Sequence, residues 1–216
     1  MSVIDLRHLG AGEKGSATVE LGLIAPMLFF LVMACIEMAL ALFQWNAAAK
    51  ATQLGARAAI VSAPVATGLN QVAWNYDLAG EPCQYLADGG STGACPQINV
   101  TCRGAASGGT CDGGATFSDA AFGRVYDRMR LAYPALQREN VAISYRSNGL
   151  GFVANPYGLP MTVTVSFVCG RFDFIVIDAL VDWLTPLTVP GCPGNQPGIP
   201  MPSFAAGRTG EDYETN

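Results

Sequence analysis

Hydrophobic positions fall into two rhythms along the chain. From Leu21 to Phe43 they are almost unbroken (LGLIAPMLFFLVMACIEMALALF), a run longer than the roughly 20 residues that cross a hydrocarbon core of about 30 Å as a helix. A cleaved secretory signal has an apolar core of only about 7 to 15 residues, followed by a small-residue cleavage site. Here the small residues Gly15, Ser16 and Ala17 stand in front of the run instead, so one retained span is expected. The next stretch, QWNAAAKATQLGARAAIVSA, is alanine-rich and free of proline until Pro64, which predicts that the helix continues beyond the span. Small residues recur on it at Ala47, Ala51, Gly55 and Ala59. Two readings stay open for this spacing: a face that lets another helix approach closely, or alanine serving as the best helix former.

Beyond Pro64 the pattern changes. From Gly80 to Gly114 glycine is dense enough to predict turns and loops rather than regular elements. Residues 118–136 (SDAAFGRVYDRMRLAYPAL) place Phe122, Val125, Met129 and Tyr133 on one stripe of an amphipathic helix, with Ser118 as N-cap and Pro134 as its end. VAISYR (141–146) and MTVTVSFVC (161–169) alternate apolar and polar side chains as strands do, and the Gly- and Pro-marked turn between them predicts a hairpin. Residues 172–189 are apolar, but Asp173, Asp178 and Asp182 would each cost about 2.5 to 3.5 kcal/mol near the centre of a bilayer. A helix packed on the sheet or lying at the membrane surface is expected there, not a second span. The Pro- and Gly-rich tail from Pro190 is expected to end in one short strand around Ser203 to Ala206.

The expected fold class is therefore α+β. A long N-terminal transmembrane helix continues into a periplasmic helix and is followed by a small disulfide-stabilised α+β ectodomain with an antiparallel sheet. The expected divisions are a leader at 1–15, the transmembrane and extended helix at 16–63, and an extracytoplasmic domain at 64–216.

Charge and cysteine content narrow the function. A net charge of −5 with few, scattered Lys and Arg argues against nucleic acid as a partner, which needs a basic face. Of seven cysteines, Cys35 lies in the apolar run and is most simply a small buried apolar residue. Cys83, Cys95, Cys102, Cys111, Cys169 and Cys192 follow it without a C-x-x-C pair or a nearby histidine. A disulfide framework in an oxidising compartment accounts for them better than a metal site. Six cysteines allow 15 pairings; neighbours in sequence (Cys83 with Cys95, Cys102 with Cys111, Cys169 with Cys192) close the shortest loops.

No enzyme can be assembled from these residues. GGSTG (89–93) matches a nucleophile elbow, but it sits in a cysteine-rich loop, and the single histidine, His8, precedes the span. The carboxylates Asp119, Asp127, Asp173, Asp178 and Asp182 read as ordinary surface charge, and no nucleotide or EF-hand motif is present. No catalytic, cofactor-binding or metal-binding residue is therefore expected.

The two glutamates of the apolar run need a reason, because carboxylates in a bilayer are costly. Glycine followed by a span, with an acid at the fifth position after it (Gly15, then Ser16 to Glu20), resembles the processing site of type IV prepilins and pseudopilins. Over residues 15–43 the pattern, with VE, LIAP and the late IE, resembles the TadE-like minor pilins of the tight adherence pilus system. The resemblance implies that an inner-membrane prepilin peptidase cuts between Gly15 and Ser16 on the cytoplasmic face. Glu20 would then pair with an α-amino group, its own or a neighbouring subunit's. Lys14 and Arg7 supply positive charge on that side. Glu37, about 25 Å further along a helix, can reach the opposite interface, a reading favoured over a buried helix–helix contact. Pro26 would kink the helix. Major pilins of this system are very short and carry tyrosine after the glutamate, whereas Leu21 stands there in a much longer chain, which points to a minor or assembly subunit.

The resemblance thus implies a single-pass inner-membrane protein with a cytoplasmic N-terminus and a periplasmic C-terminal domain. Its partners would be prepilin peptidase, other minor pilins and the pilus assembly machinery, met through Glu20, Glu37, Ala47, Ala51, Gly55 and Ala59. The competing expectation is a signal-anchored extracytoplasmic binding module in which Gly15 and Glu20 are coincidental.

Overall fold

A computed structural model describes residues 13–69, 80, 98–147, 151–152, 161–172, 174, 177 and 199–210, and the side chains from residue 18 onward. One helix, α1 (Glu13–Val61), runs unbroken for 49 residues with Pro26 inside it. Its composition explains its length, since Leu, Met and Ala are strong helix formers and no glycine pair interrupts them.

The globular part is an antiparallel sheet with helices on one face. Its strands are β2 (Asn99–Gly104), β3 (Gly109–Cys111), β5 (Val141–Ser147), β6 (Met161–Phe167) and β7 (Phe204–Gly210), in the order β3-β2-β5-β6-β7. Two further short strands, β1 (Ala66–Thr67) and β4 (Thr116–Phe117), pair with each other. Alternation fixes the register: Tyr145 lies opposite Val163, Ile143 opposite Val165 and Val141 opposite Phe167, and all six side chains are buried on one face. Against that face pack the second half of α1 and the helix α2 (Asp119–Arg130).

The hairpin of β5 and β6 and the amphipathic α2 stand where their patterns predict them. Ser118 caps α2 by accepting a hydrogen bond from the Ala121 N–H, and Phe122, Val125, Met129 and Tyr133 are buried. The helix nevertheless stops at Arg130, before Pro134. The residue preceding a proline is driven out of helical geometry, and here the last turn is given up as well, so that Tyr133 enters the core edge-on to Phe167. The final strand is longer than Ser203 to Ala206, because the whole of β7 pairs with β6.

The expectation of loops throughout Gly80 to Gly114 is corrected by β2 and β3. Val100 and Cys102 point inward while Asn99 and Arg103 point out, an alternation hidden by the surrounding glycines. One of those glycines is required, because a Cβ on Gly104 would lie 2.3 Å from the Arg138 carbonyl oxygen. Cys102 and Cys111 face each other across β2 and β3 and are joined as a disulfide. Cys169 is also disulfide-bonded. Cys83, Cys95, Cys192, the leader before Glu13, GGSTG and most of 172–189 lie outside the described residues.

The turn after α1 is clamped from two sides. Val65 donates its N–H to the Tyr145 hydroxyl at 2.8 Å, and its carbonyl accepts the Ser118 N–H at 2.8 Å. Burial of the Tyr145 ring and hydroxyl pushes the phenol's pKa up to about 12, against a smaller opposing effect of the Val65 hydrogen bond.

Candidate functional site: the bare half of the N-terminal helix

Helix α1 has two unlike halves. Up to Val32 its large apolar side chains are exposed on every side, from Leu21 and Leu23 through Phe29 and Phe30, and from there to Phe43 on every face but the one that carries Met33, Glu37 and Ala41. A helix that is apolar all round belongs in a membrane or inside a larger protein assembly. Among the described residues it is the one helix long and apolar enough to cross a membrane. One such helix near the N-terminus is consistent with a single-pass membrane protein.

The other half is a row of small residues. Ala48, Ala51, Thr52, Gly55, Ala56 and Ala59 are buried, and α1 can approach closely because nothing larger stands there. A Cβ on Gly55 would sit 2.7 Å from Met129 Cγ and Sδ and 3.1 Å from Val165 Cγ1. The residues expected to meet other subunits, Ala47, Ala51, Gly55 and Ala59, stand on this face. Ala51, Gly55 and Ala59 are covered by the chain's own α2 and sheet, and Ala47 is half-buried against the same core. The close approach that small residues permit is used within the chain.

The two glutamates also differ. Glu20 is exposed on the bare half. Glu37 is only 2% exposed, and its carboxylate accepts a hydrogen bond from the Ile177 N–H at 3.1 Å. The expected interfacial side chain is thus a buried one, because the globular part reaches down α1 further than the small-residue row alone suggests. Between these levels Trp45 meets Phe204 edge-on at 4.9 Å and stacks over Phe172 at 6.5 Å. Ile177 could not have been paired with Glu37 from sequence. The footprint itself left a trace in Glu37, Ala41, Gln44, Ala48, Thr52, Gly55 and Ala59, a helical row in which Gln44 alone is not small after the first member.

Gly15 and Ser16 lie in the first turn of α1, so a protease would have to open that turn to reach the bond between them. The cost is small, since the first N–H groups of a helix have no intrahelical partner and its ends fray.

Residues 15–57 match the model of the TadE-like protein family. The match begins on Gly15 and ends inside the small-residue row, so the TadE-like segment includes the whole bare half and most of the packed one. No curated protein and no solved structure matches the chain.

Chemistry elsewhere is sparse. Among the described residues no three His, Cys, Asp or Glu side chains gather to hold a metal. Asp119 is ion-paired with Arg138, whose guanidinium also lies 4.8 Å from the centre of the Phe122 ring. A cleft lined by Tyr133, Asn140, Phe167 and Arg171 has a volume of about 60 Å³, room for a few waters, whereas ligand pockets run to about 300 Å³ or more.

Proposed function

We propose that the protein is a minor pilin or pseudopilin that helps to assemble or prime a tight adherence, type IV-like adhesion pilus. The observation that carries this reading is the coincidence of the TadE-like match with the geometry of α1. The matched residues begin at the glycine before the apolar run, include the exposed Glu20, and extend over a half-helix whose large apolar side chains the chain leaves uncovered. A simple anchor needs an apolar helix, but it needs neither a glycine ahead of it nor a carboxylate at the fifth position after that glycine.

In this reading, prepilin peptidase cuts between Gly15 and Ser16 on the cytoplasmic side of the inner membrane. The bare helix then waits in the bilayer, with the remaining domain in the periplasm, until it joins the helices of other subunits. The α-amino group released on Ser16 pairs with Glu20 of the same or an adjacent subunit, offsetting the cost of both charges in an apolar bundle. The globular part acts as a rigid head, because the small-residue row is sealed against it.

The test is the intact mass of the membrane-extracted protein, expressed with and without a prepilin peptidase. Loss of residues 1–15 only when the peptidase is present is the expected outcome. An unchanged full-length mass in both conditions would return the chain to a signal-anchored binding module.

A further inference from the structure

The globular part does not stop where the apolar run ends. Phe172 is fixed to the core, donating its N–H to the Ile199 carbonyl at 3.0 Å, beside the bridge between Arg171 and Pro200. Phe172 stacks on Trp45, Phe174 packs 5.7 Å from Phe172, and Ile177 reaches Glu37. Eight residues at 1.5 Å rise set Glu37 about 12 Å further toward the bare end of α1 than Trp45. At that level the other faces of the helix carry exposed Ile36, Met38, Leu40, Leu42 and Phe43.

A bilayer ending at Glu37 would leave Leu40, Leu42 and Phe43 in water. One ending near Trp45 covers them and puts an aromatic side chain at headgroup depth, where tryptophan is favoured. Ile177 and Phe174 then lie within the lipid layer.

Resting on the reading of α1 as a membrane span, we propose that Phe174 and Ile177 form a lipid-embedded foot of the globular part. It lies against α1 on the bilayer side of Trp45 and is held at that depth by the hydrogen bond from the Ile177 N–H to Glu37. The partner is the lipid bilayer itself, met by half-buried apolar side chains. The bond serves two groups at once, because a backbone N–H and a carboxylate each cost several kcal/mol if left alone in hydrocarbon.

Spin-label accessibility on the full chain in phosphatidylcholine–phosphatidylglycerol vesicles tests this. Single labels replace Ile177 (I177C), Leu40 (L40C) and, as a water-exposed control, Thr209 (T209C), each in a Cys35→Ala background. The foot predicts that I177C and L40C collide with oxygen several-fold more than with a water-soluble nickel complex, and T209C the reverse. Adding Glu37→Ala should shift I177C toward the nickel complex and leave L40C unchanged, while Glu37→Gln, which keeps an acceptor, should retain its depth. A water-exposed I177C beside a lipid-exposed L40C would overturn the foot and spare the span. A water-exposed L40C would overturn both. An I177C shielded from both reagents would mean that protein covers it, and an unchanged depth in Glu37→Ala would remove Glu37 from the clamp.

Discussion

The two halves of α1 are one continuous helix of largely apolar residues, yet they meet opposite surroundings. The half ending at Phe43 is built mainly from Leu, Ile, Phe and Met and is bare except along Glu37 and Ala41; the half from Ala48 to Ala59 is built mainly from Ala and Gly and is sealed along one face. Side-chain size separates them along the covered row, and polarity on the outer face, where Lys50, Gln53 and Arg57 stand in place of large apolar side chains. Small residues cannot bury much area, but they let a helix lie close enough to Met129 and Val165 for those side chains to do so. Large ones offer area to whatever comes from outside the chain, first lipid and then, on the proposed reading, other helices.

Substitutions that confuse the halves should have graded effects. Phe122→Ala, in the core beneath the sealed half, should destabilise the globular part by about 3 to 5 kcal/mol in denaturant unfolding of the detergent-solubilised chain. Replacing Cys102 and Cys111 together by Ser opens a loop with a sequence separation of 9 and should cost about 2 to 3 kcal/mol in the same experiment. Gly55→Leu brings a bare-half side chain into the sealed half and should cost about 1 to 3 kcal/mol by overpacking. The reverse change, Leu28→Ala, should leave unfolding of the globular part within about 0.5 kcal/mol of the parent, because Leu28 is exposed and outside the buried core.

The clamp at the end of α1 yields a pH signature. The Tyr145 phenol has its pKa raised from about 10 to about 12 in the folded chain, so folding favours its protonated form. Its contribution is fully present below pH 10 and is lost as pH rises through 12, about 2 to 3 kcal/mol in all. Tyr145→Phe should abolish that alkaline loss. It should also cost about 1 to 3 kcal/mol at neutral pH, since the buried Val65 N–H loses its acceptor. Denaturant midpoints measured from pH 8 to pH 12 on both proteins check the two effects together.

Much of this was legible in the sequence, for identifiable reasons. The span, α2 with its Ser118 cap and the hairpin of β5 and β6 each carry a period that local physics reads without help. Strand β2 was also written in plain alternation, but glycines on either side drowned it. The covered face of α1 was visible as a row of small residues, and what covers it was not, because the same spacing serves a neighbouring subunit or the chain's own sheet equally well. Glu37 was the least legible, since its partner Ile177 stands 140 residues away and offers only a backbone N–H, which no side-chain pattern announces.

Photocrosslinking from the bare half tests the central claim most directly. Benzoylphenylalanine replaces Phe30 in one chain and Phe122 in another, each expressed in cells with the other pilus subunits and the assembly machinery. The account predicts crosslinks from position 30 to other pilin-like subunits that depend on the machinery, with only lipid adducts in its absence, and from position 122 only crosslinks within the chain. Lipid adducts alone from position 30, machinery present or not, would contradict it and leave α1 as a membrane anchor.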